Sequence, residues 1–316
     1  MATFDIILNP EDTEYYNKFY ISAYNEKGWL KSFNDYSVWK TAFGEDYFFL
    51  LALDKKTKAH VGNIVGVFYR NNEGKRIMLG VGGFYLFPEF RGGGQGWRLF
   101  EALMDIAKKE NVNVFLNCRE EMKAKYIANG LNKLRDNHMI CYKINYNHVN
   151  IDHVIIDHTF TIIDTKDFDD WEKVKQFDQT IIGNIDRSKY LKERFLEPTS
   201  HGSICLDNQT KQVTGFVNLI EVAGNNIFFG PMYADSDEIA ELLFVNIFDK
   251  LLSSTIKINE IHFTIYKSNK CVVSLLNKYT NGQQIKGCEK TSHFSKFDIG
   301  VKTEFVYCFG DGISFT

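Results

Sequence analysis

Proline is scarce in this chain: 4 residues in 316, against 23 glycines. Turns must therefore come mainly from glycine, asparagine and aspartate, which reach left-handed backbone or bond to their own amides. Long apolar runs are missing as well. None approaches the roughly 20 residues a helix needs to cross a bilayer, so no membrane association is expected. Neither charge dominates, with 37 basic and 40 acidic residues and a formal net charge of -3. That balance removes the general electrostatic argument for nucleic acid or an anionic surface. The start, MATFDIILNPEDTE, has neither a basic segment nor an apolar one behind it, which reads as no secretory signal and a cytoplasmic protein.

The six cysteines, Cys118, Cys141, Cys205, Cys271, Cys288 and Cys308, are widely scattered and form no CxxC pair. A reducing compartment fits them best, although an even count leaves disulfides open. HExxH is absent too. His148, His153 and His158 recur every five residues with Asp152 and Asp157 between them, a spacing that matches neither a helix face nor one side of a strand. No metal site is expected.

Core-forming residues are plentiful: 44% of the chain is hydrophobic, with 27 Phe and 16 Tyr. Their periodicity reads twice in the same order. FDIIL is a short strand, followed by helices from Asp12 to about Tyr24 and from Asn34 to Phe43. Strands at 47–54, 61–71 and 76–87 are joined by turns, then a helix runs from Trp97 to Lys109 with Leu99, Leu103, Ile106 and Ala107 on one stripe. A strand at 112–118, a helix from Glu120 to Ala128 and a strand at 137–145 finish the first pass. From TIID onward the order returns, with a long helix from Ser236 to Ser253 in the place of the helix from Trp97. The spacing predicts two copies of an α/β fold with a mixed sheet, one over 1–148 and one over 160–316.

Between the strand ending at Phe87 and the helix starting near Gly96 lies Arg91-Gly92-Gly93-Gly94-Gln95-Gly96. So many glycines before a helix leave free amides pointing inward, where the helix dipole adds its positive end; the result is an anion nest. A phosphate-binding GxxxxGK[ST] loop is excluded because Gly96 is followed by Trp97-Arg98. A dinucleotide loop lacks its GxGxxG spacing and its later acidic residue.

This loop resembles the [RQ]-x-x-G-x-[GA] signature of the GCN5-related N-acetyltransferase (GNAT) superfamily. Tyr126 and Gly130-Leu131 in KYIANGL resemble the Tyr-x-x-x-Gly-Phe ending of that superfamily's fourth helix, with Leu for Phe. The residue seven before the tyrosine is Arg119 where members usually have Asn. EKGWLKSFNDYSVWKTAFGEDYFFLAL, NIDRSKYLKERFL and FFGPMYADS resemble a tandem-domain family that includes bacterial YitH-type acetyltransferases and nematode relatives, so the resemblance covers nearly the whole chain. It implies a tandem GNAT fold. It also implies acetyl-CoA as acyl donor, its pyrophosphate held by Arg91 to Gly96 with Trp97. The pantetheine arm would lie between the strand ending in Phe84, Tyr85 and Leu86 and the next strand, which carries Asn117. Tyr126 would protonate the departing CoA thiolate. Trp29 and Asp35 would roof the acceptor pocket, and Asp186 with Arg187 would line it.

Direct transfer to a primary amine in a ternary complex then needs a neutral amine. Glu26, Asp35, Glu45, Asp46 and Glu89 all lie near the acceptor side and leave the base open, with Glu45 the first to test; Tyr85 at the strand bulge could conduct the proton instead. The second copy has Asp235, Asp237 and Glu238 where the first has its glycines. These satisfy the helix dipole themselves and repel a pyrophosphate, so this copy reads as degenerate. Aromatics at Trp29, Phe33, Tyr36 and Trp39 either belong to the core or favour an apolar or aromatic amine over a highly charged one. The expected protein is thus an N-acetyltransferase acting on a small amine or amino-acid-like acceptor, monomeric or homodimeric. The alternative is an acyl-CoA-binding sensor or protein-interaction module.

Overall fold

The computed structural model describes residues 4–94, 96–151 and 157–310. The first half runs β1 (Phe4–Leu8), α1 (Glu14–Lys27), α2 (Asp35–Phe43), β2 (Tyr47–Asp54), β3 (His60–Arg70), β4 (Arg76–Leu86), α3 (Gly96–Glu110), β5 (Asn113–Arg119), α4 (Glu120–Ala128), the two-residue β6 (Lys133–Leu134) and β7 (Met139–Asn145). The second repeats it with β8 (Phe160–Asp164), α5 (Trp171–Ile182), α6 (Ser188–Leu196), β9 (Ser200–Asp207), β10 (Val213–Val222), β11 (Asn226–Ala234), α7 (Asp237–Leu252), β12 (Glu260–Tyr266), α8 (Lys270–Thr280), β13 (Ile285–Phe294) and β14 (Val306–Cys308). The doubled order is the one the periodicity predicts. His153 and Asp152, in the joint between the copies, lie outside the described residues, as does Gln95.

The two sheets are one. Strands follow the order β1-β2-β3-β4-β5-β13-β7-β12-β11-β10-β9-β8. The last strand of the first copy and the last but one of the second have crossed over: β13 lies antiparallel beside β5, with Lys290 opposite Arg119 and Phe294 opposite Phe115. In return β7 lies antiparallel beside β12, with Ile144 opposite Ile261 and Met139 opposite Tyr266. Each half of the sheet is therefore completed by a strand of the other half. Backbone hydrogen bonds between strands are insensitive to which copy supplies the partner.

Three apolar clusters cover the sheet. Tyr16, Phe19 and Tyr20 of α1 and Trp39 of α2 share one core with Phe177 and Ile181 of α5 and Leu191 and Phe195 of α6. The two copies are thus packed into each other on this face. Leu99, Phe100, Leu103 and Ala107 of α3 form a second cluster with β2 to β5 and Tyr126 of α4. The third joins α7 and α8 to β10, β11 and β12. Burial of this many large side chains, at roughly 25 cal/mol per Å² of apolar surface, is the main favourable term. An ion pair also ties the copies together inside the first core: Arg194 Nη2 meets Asp35 Oδ1 at 2.7 Å, with both side chains buried.

Candidate active site

β4 and β5 run parallel in register only from Met78/Asn113 to Val81/Leu116. Beyond that β4 continues to Leu86 and β5 to Arg119 without pairing, so the sheet opens into a cleft. The cause is visible on the other side of β4. Asn63 pairs with Tyr85 and Val65 with Gly82, so β4 carries one residue more than β3 across this stretch. Such a bulge bends and twists the strand away from its neighbour. Asn63 fastens it, its Nδ2 donating to the Gly83 carbonyl at 2.8 Å.

The glycine loop closes the carboxyl end of this cleft. Gly92 and Gly94 have φ of 93° and 70°, the left-handed region where a side chain is strained. Among the described residues no protein carbonyl accepts from the amides of Gly92, Gly93 or Gly94. A Cβ on Gly96 would run into the Leu86 side chain, so glycine is what lets the start of α3 approach the end of β4. Free amides at the amino end of a 15-residue helix form a seat for an anion.

A cavity of about 980 Å³ begins at this loop and crosses the sheet to the second copy. It gathers Phe84, Tyr85, Leu86, Arg91, Gly92, Gly94, Gly96 and Trp97 on one side and Asn117 and Tyr126 on the other, with Trp29 and Asp35 above. Gly93 sits at the exposed tip of the loop, outside the lining. Tyr126 packs its ring among Trp97, Phe100 and His293. Burial, with the Cys118 side chain beside it, keeps its phenol protonated far above neutrality. No protein partner takes that hydroxyl among the described residues.

Arg91 is already engaged. Its Nη2 pairs with Glu26 Oε2 at 2.6 Å and its Nε donates to the Leu86 carbonyl at 2.9 Å. Tyr85 also donates to Glu26 Oε2, at 2.7 Å. The guanidinium, then Lys27 and Tyr85, hold the Glu26 carboxyl well below the usual carboxylate range. Burial and this carboxylate push Tyr85 up to about 12. Arg91 thus pins the loop to the end of α1, and neither Glu26 nor Tyr85 is poised to accept a proton near neutrality.

Other sequence-based site residues stand elsewhere. Glu45 is 79% exposed and pairs with Arg70 at 2.7 Å, outside the cavity. Asp46 is held by Arg70 and Arg76. Asp35 borders the cavity, yet its oxygens accept from Arg194 and, at 3.2 Å, from Tyr16 and the Ser32 amide. Asp186 pairs with Lys175 at 2.8 Å. Arg187 is buried against Asp178 and the Tyr233 hydroxyl, each at 2.7 Å from Nη2. This last pair is part of the core of the second copy and does not reach the cavity.

Residues that local sequence did not single out complete the site from the second copy. Ser292, on the exchanged β13, donates to Asn117 Oδ1 at 2.8 Å. His293, next to it, packs against Tyr126 and bonds the Leu131 carbonyl at 2.9 Å. Ile220, Val222, Phe228 and Phe263 form the far wall of the cavity together with Phe309. Their only advance signal is their place in a second copy of the same fold.

The matching cleft of the second copy is filled. β11 and β12 pair in parallel from Ile227/Ile261 to Phe229/Phe263 and then part. β14 enters the gap, pairing Cys308 with Met232 of β11, while the Phe309 amide donates to the Thr264 carbonyl of β12 at 2.9 Å. At the start of α7 the Ser236 hydroxyl accepts from the Ile239 amide and Asp237 accepts from Tyr307 at 2.7 Å. The chain thus occupies its own second cleft. Among the described residues, no three His, Cys, Asp or Glu side chains come together as a metal site, and no helix is long and apolar enough to cross a membrane.

Two family models match the chain. One, an acetyltransferase (GNAT) family, covers residues 13–125, and the other, an acetyltransferase (GNAT) domain, covers 174–294. Among solved structures, a candidate acetyltransferase from Pyrococcus horikoshii is 17% identical, with a TM-score of 0.69 over 98% of this chain and 95% of that one. A tandem GNAT protein from the clavulanic acid biosynthesis pathway is 10% identical, with a TM-score of 0.65 over 93% of this chain and 99% of that one. A GCN5-related N-acetyltransferase from Sphaerobacter thermophilus is 12% identical, with a TM-score of 0.58 over 92% and 95%. At these identities the likeness is one of fold. Among curated proteins none matches significantly.

Proposed function

Since the chain belongs to the GNAT superfamily, as a tandem of two such domains, we propose that it moves an acetyl group from acetyl-CoA directly to a primary amine bound in the same cavity. The observation that carries this reading is the parting of β4 from β5 directly above a nest of free glycine amides, with Tyr126 in the same cavity. The nest takes the pyrophosphate. The arm of the cofactor lies in the cleft, where unpaired strand edges offer it backbone hydrogen bonds. A thioester oxygen at the edge of Phe84 to Leu86 accepts from the backbone as charge develops there. Tyr126, kept protonated by burial, gives its proton to the leaving thiolate.

The acceptor occupies the end of the cavity walled by Trp29, Leu30, Ile220, Val222, Phe228 and Phe263. These surfaces favour an amine on an apolar or aromatic body. Of the five carboxylates named as bases, Glu26, Asp35 and Asp46 are held in ion pairs and Glu45 and Glu89 stand outside the cavity; on this reading the amine attacks as the fraction already neutral in solution. The rate with a saturating cofactor then rises about tenfold per pH unit up to the amine's own pKa.

Titrating acetyl-CoA calorimetrically into the wild type and Gly94→Trp tests the cofactor half of the reading. Micromolar binding lost in the variant supports it, and no binding to the wild type overturns it. A panel of amines assayed for CoA release tests the chemistry. Binding without release by any amine favours the sensor reading instead.

A further inference from the structure

Six cysteines are far apart in sequence, yet two of them meet. Cys288 Sγ lies 3.4 Å from Cys141 Sγ, across 147 positions. Cys141 is on β7 and Cys288 on β13, the two exchanged strands, which run antiparallel side by side. Their register steps between Lys286/Tyr142 and Glu289/Ile140, so Gly287 and Cys288 together face Cys141. Gly287 is packed on it: a Cβ there would lie 3.4 Å from the Cys141 carbonyl. Residues facing each other on adjacent antiparallel strands have Cα atoms about 4.5–5.5 Å apart, inside the 4.4–6.8 Å span a disulfide bridges.

Both thiols border the cavity, with Lys290, also from β13, in the same wall. Neither is fully buried, in contrast to Cys118, Cys205 and Cys308. Cys141 Sγ also lies 3.7 Å from the Thr264 hydroxyl of β12. The hydrogen bond from Cys288, followed by the charge of Lys290, lowers the Cys141 thiol, while Cys288 is pushed up. Cys141 is therefore the partner that ionises first, and Cys288 the one that donates to it. That is the division of roles thiol–disulfide exchange uses.

We infer that Cys141 and Cys288 are a reversible oxidation site, taking a low-molecular-weight disulfide as oxidant and closing the inner wall of the cavity when bonded. The Cys141 thiolate attacks one sulfur of the oxidant, forming a mixed disulfide and releasing one thiolate, which takes up a proton. Cys288 then gives up its proton and attacks the Cys141 sulfur, expelling the second thiol. Two protein thiols become one disulfide, and the oxidant becomes two thiols. Drawing the sulfurs from 3.4 Å to the roughly 2.0 Å of a bond pulls the Gly287–Cys288 bulge onto β7. It also staples β7 of one copy to β13 of the other at the floor of the proposed acceptor site. The effect on turnover rests on the acyltransferase reading; the bond itself does not.

The test uses the full chain, treated with oxidised glutathione and then alkylated under denaturing conditions for peptide mapping. The expected product links the peptides of Cys141 and Cys288, melts several degrees higher because a long loop is closed, and reverts with dithiothreitol. Cys288→Ala is expected to stop at a glutathione adduct on Cys141. Release of CoA in the presence of an accepted amine is expected to fall at least tenfold in the bonded protein. Wild-type protein whose two thiols remain alkylatable, or each carry their own glutathione, overturns the site. A bonded protein that turns over as fast as the reduced one overturns the closure. A protein that forms the bond but acetylates nothing in either state would refute the acyltransferase reading and leave the oxidation site standing.

Discussion

Arg91 and Glu26 are locked together across the mouth of the cleft, Nη2 to Oε2 at 2.6 Å, with the same guanidinium tied back to the Leu86 carbonyl. In this arrangement the loop arginine braces the loop, and we expect bracing to be its main part in binding. Glu26→Ala is therefore expected to weaken acetyl-CoA binding about three- to tenfold, as Arg91→Ala does, because both release the loop. If Arg91 instead met the pyrophosphate directly, freeing it from Glu26 would tighten binding. Because Glu26 is held well below its ordinary range, this brace is fully present above about pH 4.3 and is lost only in stronger acid. Affinity between pH 6 and 8 is expected to be independent of it. Calorimetry on both variants at two pH values decides the matter.

Tyr126→Phe keeps the ring contacts with Trp97, Phe100 and His293 and removes only the hydroxyl. Turnover is expected to fall by about 10²–10³ while acetyl-CoA affinity stays within twofold. A variant with unaltered kcat would take the tyrosine out of the reaction.

His60 is buried between Tyr15 and Phe87. Burial, with the Lys18 charge behind it, brings its pKa down to about 4. The unfolded chain binds a proton near pH 6.5 and the folded one does not, so this site's contribution to stability is complete above that value and falls as pH drops toward 4. The loss is on the order of 3 kcal/mol at its fullest. Urea melts from pH 7 to 4.5 are expected to show this slope, flattened in His60→Phe.

Glu45 and Arg187 carry opposite expectations. Glu45→Gln disturbs an exposed pair and is expected to change stability by less than about 0.5 kcal/mol and leave turnover untouched. Arg187→Ala strands the Asp178 carboxylate in the core and is expected to cost about 3–5 kcal/mol. Thermal melts of the two variants, with a CoA-release assay of the first, check both.

The side of the site proposed for the cofactor is the more legible in the sequence because it is local. The glycine run before a helix marks an anion nest by itself, and the bulged strand before it and Tyr126 join it through the resemblance to the GNAT pattern, all within one stretch of turn, helix and strand. The acceptor side is not. Whether Glu45 faces the cavity or Arg70, and whether Arg187 faces a ligand or Asp178, depends on the packing of several elements against one another. Charged residues read the same in either place. The plug of the second cleft was equally hidden, since Val306–Cys308 looks like any short strand until Met232 is found opposite it. So was the meeting of Cys141 and Cys288. It exists only because β7 and β13 crossed over, which no local pattern in either strand announces.

That crossing also sets a timetable. Asn117 is held by Ser292, 175 positions later in the chain. At the usual 5–20 residues per second, a ribosome needs roughly ten to thirty-five seconds to deliver the second after the first. Throughout that interval β5 lacks the strand that covers it in the folded protein, and an uncovered edge can accept a strand from a neighbouring chain. The half that carries the glycine nest is synthesised first and finished last, and its period of greatest danger falls before the protein has ever met a ligand.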